Sequence, residues 1–347
     1  MSATKKTRRT RILLTNDDGI FANGINAVGA ALAGTYDVTV VAPEGNQSGS
    51  SHSLTLGDIL PIREVAMPCG LKGFSLRGTP TDCVLVALLD VMKDNPPDIV
   101  VSGCNHGPNV GVDVLYSGTV SAALEGLRQG HPSIALSLDM EHGVQPHHFE
   151  TAAAVLMEIL AEPAFYGDLV KAPAILNVNV PNVPLSDIEG IMITKQGFRS
   201  YENFVEKQFS PRGRAYYWIA GNSGPHDAQQ GSDGYALINN YVSVTPINLD
   251  LTCDELLKPL EARKGMVNDR LALVTGSRGT FGRPAAAPVA EARSVKPTAA
   301  AVVSDRPSRE RSRDSVVESY HSGVAAKVGR TSTHKAGKKS ARTKTPE

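Results

Sequence analysis

The sequence predicts an α/β fold, a doubly wound and mostly parallel sheet covered by helices on both faces. Two observations carry this. Short β-branched runs alternate with stretches of helical periodicity from Arg11 to about Leu273. Successive runs also end in loops rich in Gly, Ser and Asn, at the sheet edge where such folds bind ligands. RILLT (11–15) reads as a buried strand. In NGINAVGAALAG (23–34), Ile25, Val28, Ala31 and Leu32 share one helical face, and Gly34 suits a left-handed C-cap. YDVTVVA (36–42) is the next strand, and residues 57–77 read as two extended pieces. TPTDCVLVALLDVMK (79–93) starts a helix with Thr79 as N-cap, Pro80 at the first helical position and Asp82 near the positive end of the dipole. DIVVSG (98–103) is a third core strand, SGTVSAALEGLRQG (117–130) a helix ending at Gly130, and PSIALSL (132–138) a fourth strand. A helix over 147–161 and a strand, AILNVNV (174–180), follow. Residues 195–221 then gather the only Trp and several aromatics around a Pro-Arg-Gly turn. That pattern predicts a long hairpin, either an arm packed on another subunit or a lid on its own domain. NNYVSVTPI (239–247) is a further strand and CDELLKPLEARKG (253–265) the last helix.

Composition bounds the alternatives. With 347 residues and 41% hydrophobic content the chain has ample material for a core, which excludes a collagenous or wholly disordered protein. Mean hydropathy is −0.14 and no apolar run reaches membrane-spanning length. The formal net charge is zero, but from Glu261 onward there are 18 Lys and Arg against 8 Asp and Glu, so the remainder is acidic. Beyond about Val274 one Phe and one Tyr remain among Ala, Ser, Thr, Pro, Arg and Lys. Residues 274–347 are therefore expected to be a disordered basic tail capable of weak, salt-sensitive contact with nucleic acid. Residues 1–10 are expected to be a basic disordered N-terminus. Cys69, Cys83, Cys104 and Cys253 have no C-x-x-C spacing, which implies neither a zinc ribbon nor a disulfide framework. The apolar stretch after MSATKKTRRT is too short for a secretory signal, and the expected location is cytoplasmic, without a membrane.

The chemistry concentrates in three loops. LLTNDDGI (13–20) delivers two adjacent carboxylates, Asp17 and Asp18, to the end of the first strand. Adjacent acids repel, and oxygen ligands of this kind suit Mg²⁺, Mn²⁺ or Ca²⁺ between or beside them. Taken alone, the segment is equally an Asx turn with Gly19 at positive φ. VVAPEGNQSGSSHS (40–53) leaves the second strand with Ser48 and His52, and VVSGCNHGPNVGVDVLYSGTV (100–120) leaves the third with Asn105, His106 and Asn109. A structureless stretch of about 13 residues between strand and helix is usually functional. Ser117, Gly118 and Thr119 open a helix whose positive end would attract phosphate. His52 and His106 are candidates for acid or base work or for bonding phosphate oxygens, and each alone reads more often as a structural surface histidine. Asp82 is assigned mainly to capping, and Asp113 stays open. The sequence has no G-x-S-x-G, no G-x-x-x-x-G-K-[ST] and no strand-borne G-x-G-x-x-G, so serine hydrolase, NTPase and dinucleotide readings lack their defining residues.

RILLTNDDGI, VVAPEGNQSGSSHS, GTPTDCV, DIVVSGCNHGPNVGVDVLYSGTVSAALEG and YVSVTPI together resemble the SurE family of metal-dependent 5′-nucleotidases, in order across about residues 11 to 260. The resemblance implies a Rossmann-like domain over 11–273 with a C-terminal hairpin and helix extension used in a homodimer or homotetramer. It implies hydrolysis of nucleoside 5′-monophosphates, often of 3′-monophosphates and sometimes of short polyphosphate. By position it places one divalent ion per subunit, Mg²⁺ or Mn²⁺, on Asp17, Asp18, Ser48 and Asn105, with Asp17, Asp18 and Asn105 in catalysis. The phosphate side falls on Ser117, Gly118 and Thr119. His106 and Asp18 are the candidate proton acceptors, and Asp17 an alternative nucleophile. Gln47 and His106 stand where the family often has Arg, which bears on substrate range. Two rivals are a receiver-like switch with an acidic pair, which needs an Asp where the third strand has Ser102-Gly103, and a polyanion-binding protein acting through its basic tail.

Overall fold

The computed structural model describes residues 8–140, 145–198 and 201–275. In chain order these form β1 (Arg11–Thr15), α1 (Asn23–Leu32), β2 (Asp37–Pro43), β3 (Ile62–Ala66), β4 (Lys72–Leu76), α2 (Pro80–Val86), β5 (Ile99–His106), α3 (Gly118–Arg128), β6 (Ser133–Asp139), α4 (Phe149–Ala161), α5 (Pro163–Tyr166), β7 (Ala174–Pro181), β8 (Gly190–Ile193), β9 (Tyr201–Phe209), β10 (Ala215–Ser223), α6 (Asp233–Ile238), β11 (Tyr241–Asn248) and α7 (Asp254–Thr275). Nine strands make one sheet in the order β3-β4-β2-β1-β5-β6-β7-β11-β8. The run from β4 to β7 is parallel throughout, with β3 antiparallel at one edge and β11 antiparallel to β7 near the other. The expected doubly wound sheet is present. The chain moves from β1 to β2 on one side and to β5 on the other, so β1 is the switch point where such sheets open a crevice.

Both faces of the sheet are covered at its centre, which is why β1, β5, β6 and β7 are buried without alternation, whereas the edge strands β3 and β8 are largely exposed. Ile12 and Leu14 of β1 point into a core shared with Ile25, Val28 and Leu32 of α1 and with Phe149 and Leu156 of α4. Leu13 points the other way, onto Cys83 and Val84 of α2 and Ala122 of α3. Helix α2 starts as predicted: Thr79 Oγ1 accepts from Asp82 N, and Asp82 Oδ2 accepts from Thr79 N at 2.8 Å. Asp82 also accepts from the amide and hydroxyl of Thr55, so its role is to cap and to pin the loop before β3. The helix continues beyond Val86 as a wider turn over Ala87–Val91, closed by Met92 N on Ala87 O at 2.8 Å.

Several expectations are corrected. Gly34 is not in the left-handed region; α1 ends through Ala33, whose N–H bonds Gly29 O, and Leu32 O then accepts from both Thr35 and Tyr36. Gly130 does take positive φ (89°) and ends α3. The third core strand does not stop at Gly103 but runs on to His106, and Gly111–Leu115 is a 3₁₀ turn, so the segment before α3 is not structureless. Helix α7 extends ten residues past 265, to Thr275, and includes the first two residues of the expected tail. Residues 276–347 and 1–7 lie outside the described residues. Strands β9 and β10 pair antiparallel from Tyr201↔Ser223 to Phe209↔Ala215, as the aromatic-rich segment predicted.

Candidate active site

The C-terminal ends of β2, β1 and β5 lie side by side and each contributes a loop to one cavity of about 930 Å³. Its wall includes Asp17, Ser48, Asn105, His106, Asn109 and Ser117, with Val112, Tyr116, Phe198 and Ile219 toward solvent. The loops hold one another. Gln47 N donates to Asp17 O at 2.7 Å, tying the loop after β2 to the end of β1, and Ser51 bonds the carbonyls of Leu115 and Tyr116. Asp18 is held from β5, where His106 N donates to its Oδ2 at 3.0 Å.

A bulge in β5 makes this possible. Against β6, Ser102 pairs with Ala135 but Asn105 pairs with Ser137, so Gly103 and Cys104 together oppose Leu136. Gly103 has φ +133°, and a Cβ there would stand 2.1 Å from Leu136 O, so only glycine fits. The extra residue carries Asn105 and His106 beyond the expected strand end, into the cavity wall. Asn105 Nδ2 then donates to Gly107 O at 2.7 Å, which engages its nitrogen and leaves Oδ1 as its acceptor atom.

Asp17 is 3% exposed. Burial pushes its carboxyl up, the hydroxyl of Thr119 pulls it down and the charge of Asp18 pushes it up again, to about 6. Thr119 is fully buried, and its hydroxyl donates to Asp17 Oδ1. Helix α3 approaches the same acid: a Cβ on Gly118 would lie 2.8 Å from Asp17 Cβ and 2.8 Å from Ser50 Oγ. Of the three residues expected on the phosphate side, Ser117 caps the helix by accepting from Val120 N, Thr119 spends its hydroxyl on Asp17, and Gly118 supplies the close approach. With Val120 N–H on Ser117 Oγ and Ser121 N–H on Ser117 O, what the segment offers a ligand is the positive end of the helix at Gly118.

The donor set fits a hard divalent cation. Two neighbouring carboxylates are both pushed toward protonation by burial, and among the described residues lining the cavity none is Lys or Arg. Carboxylate, hydroxyl and amide oxygens together are what Mg²⁺ or Mn²⁺ takes. The residues that would hold it are Asp17, Asp18, Ser48 and Asn105.

His106 lies over Phe149 with ring centroids 4.8 Å apart, and its Nε2 accepts from Gly24 N at 3.3 Å. Burial lowers its pKa, as does nearby His147, with Asp17 opposing, so the ring is neutral at pH 7 with its proton on Nδ1. His52 goes elsewhere: its Nε2 is 3.2 Å from Glu125 Oε2, where Arg128 and Gln129 also bind. Tyr116 lies in the third of the expected loops, while Phe198 and Ile219 come from the segment read as either an arm or a lid, where nothing local marks them as neighbours of Asp17.

Comparison with known proteins agrees with this architecture. Residues 12–203 match the family model described as survival protein SurE. The 5′-nucleotidase SurE of Vibrio campbellii is 44% identical over 252 residues, covering 73% of this chain and 93% of that protein. The enzyme of the same name from Syntrophobacter fumaroxidans is 43% identical over 250 residues, 72% of this chain and 98% of that protein. The crystal structure of the SurE protein from Aquifex aeolicus superposes with a TM-score of 0.61 at 40% identity, covering 73% of this chain and 99% of that one. Matched by that family model over residues 12–203 and 44% identical to a relative of which it covers 93%, the chain belongs to the SurE family.

Proposed function

We infer that this chain is a metal-dependent phosphomonoesterase that hydrolyses nucleoside 5′-monophosphates to nucleoside and inorganic phosphate. The observation that carries the reading is the single cavity in which Asp17, Ser48 and Asn105 meet the N-terminus of α3. The name shared by relatives that align over more than nine-tenths of their length supports it.

In this reading a phosphate oxygen docks at the positive end of α3, an 11-residue helix that begins at Gly118. Thr119 fixes the Asp17 carboxylate, and the backbone of His106 fixes that of Asp18. Bound to Asp17, Asp18, Ser48 and Asn105, a divalent cation would neutralise phosphoryl charge and lower the pKa of a water near phosphorus. His106, with Nε2 occupied by Gly24 N–H, donates rather than accepts, and proton acceptance falls to the carboxylates. The nucleoside lies along Tyr116, Phe198 and Ile219, which are 67%, 67% and 86% exposed and line the cavity.

The working unit is a homodimer or homotetramer, for which the exposed apolar side chains of β9 and β10 (Phe204, Val205, Phe209, Tyr217, Trp218) and of α7 (Leu256, Leu260, Met266, Val267) are the support. The location we propose is cytoplasmic. Cys69, Cys83, Cys104 and Cys253 are all free thiols, and among the described residues no helix is long and apolar enough to cross a membrane.

The test is a screen of nucleoside 5′- and 3′-monophosphates with EDTA-treated full-length protein, with Mg²⁺, Mn²⁺, Ca²⁺ or Zn²⁺ restored singly. Phosphate release that returns only with metal and prefers nucleotides over glycerol phosphate is the expected result. Equal release before and after chelation would exclude the mechanism.

A further inference from the structure

Strand β7 is buried on both faces along its whole length, yet its centre reads Leu176-Asn177-Val178-Asn179, with both asparagines at 0% exposure. Apolar residues would serve packing there, and a buried amide is costly unless its bonds are made. These two amides bond one residue across the sheet edge. Asn179 Oδ1 accepts from Asn109 N at 2.7 Å, while Asn177 Nδ2 and Asn179 Nδ2 donate to Asn109 O at 2.8 and 3.1 Å. Ser137 of β6 completes the hold, accepting from Asn109 Nδ2 at 2.8 Å. Two residues on, Gly111 is gripped as well, its N–H on Asp233 Oδ2 at 2.8 Å and its carbonyl on Gln196 Nε2 at 2.6 Å. Asn109 lines the cavity with Asp17 and Asn105, so a residue in the wall of the site has both main-chain polar atoms and its amide nitrogen fixed by side chains from neighbouring strands.

We propose that Asn179, supported by Asn177 and Ser137, is a positioning residue for phosphate ester hydrolysis: it holds the Asn109 main chain, and with it the cavity wall between Asn105 and the N-terminus of α3, at its working distance. The inference rests on the phosphomonoesterase reading. Tethering the wall of the loop from β7 costs a buried polar cluster, and the return is a fixed geometry rather than added stability. A merely structural role predicts that removing the amide lowers the melting temperature and leaves turnover per folded molecule unchanged.

The experiment is a double-mutant cycle on full-length protein with AMP and saturating Mn²⁺, reading kcat and KM separately beside the melting temperature. Asn179→Ala is expected to lose roughly 30-fold in kcat/KM, and Asn177→Ala, which removes one of the two donors to Asn109 O, somewhat less. The double variant of Asn177 and Asn179 is expected to fall no more than about threefold below Asn179→Ala, because both amides hold the same Asn109 main chain and the wall is already released once one is gone. Ser137→Ala, a gentler change, is expected to lose about fivefold and to show the same non-additivity, which keeps the test alive should Asn179→Ala fail to fold. Multiplying penalties, or single variants within threefold of the parent, would overturn the inference while leaving the phosphatase reading intact. A parent chain that releases no phosphate from AMP would overturn both.

Discussion

Asp17 is sealed from solvent beside a second acid, and the groups that keep it usable are its neighbours on α3. Thr119 gives it a hydroxyl donor, and Gly118 allows the helix to approach within contact of its Cβ. Asp17→Asn should abolish phosphate release with at most a few degrees change in melting temperature, since the amide is isosteric; near-parental turnover would contradict the mechanism. Thr119→Val keeps the shape but removes the donor, and a loss of tenfold or more in kcat is expected. Thr119→Ser, which restores the hydroxyl, should recover most of that loss. Gly118→Ala would drive a methyl against Asp17 Cβ and Ser50 Oγ, both at 2.8 Å. The expected outcome is a folded protein with weakened metal binding, read by titration calorimetry with Mn²⁺. At this scale the sequence was informative about place, because the apolar run before Asn-Asp-Asp-Gly puts both acids at the end of β1, although the motif alone reads equally as a turn. His52 shows the opposite: its partner Glu125 lies 73 residues away, and no local pattern joins them.

Secondary-structure elements carry two further tests. Glu125 on α3 is 2% exposed. Burial alone would push its carboxyl up, but His52, Arg128 and Gln129 outweigh that and hold it at about 2. A folded-state pKa below the unfolded one stabilises at neutral pH and is lost as pH falls from about 4.5 toward 2, here on the order of 3 kcal/mol. Glu125→Gln should therefore lower stability at pH 7 and flatten the acid limb of a urea-midpoint series between pH 5 and 2. Gly103 is the second test: any Cβ collides with Leu136 O in a left-handed region, so Gly103→Ala should cost about 2 kcal/mol or more and displace Asn105 and His106. Element order was legible because apolar periodicity switches cleanly between strand and helix from RILLT to AILNVNV. What escaped was set by tertiary pairing. A glycine at 103 reads as a strand end, whereas pairing with β6 makes it a bulge. The four residues of β8 form a strand only because β11, some fifty residues later, lies parallel to them. The six-residue α6 is too short to show a helical period, and its place is set by Asp233 reaching Gly111 and Gly197.

On the scale of the whole molecule, the hairpin and α7 expose an apolar surface that the nine-stranded domain does not cover, including Trp218 at 59% and Leu260 at 61%. If a second copy covers it, Trp218→Lys should lower the mass measured by light scattering, and in the parent the emission of Trp218, the only Trp, should shift to the red on dilution. An unchanged mass would show that this surface is not the interface. Truncation after Thr275 removes the basic segment, and kcat/KM for AMP should stay within about twofold while retention on a heparin column drops. The separation of charge between the two parts of the chain was plain in its residue counts, but the sequence gives no partner for either exposed face.

The cavity's oxygens come from positions 17, 48 and 105, which meet only after β2, β1 and β5 lie in register. The set is spread from position 17 to position 105, and parallel pairing over such separations is slow to form. Catalysis is thus all-or-none with respect to assembly. Regain of phosphate release after dilution from denaturant would time the last docking of strands, not the earlier collapse that fluorescence records.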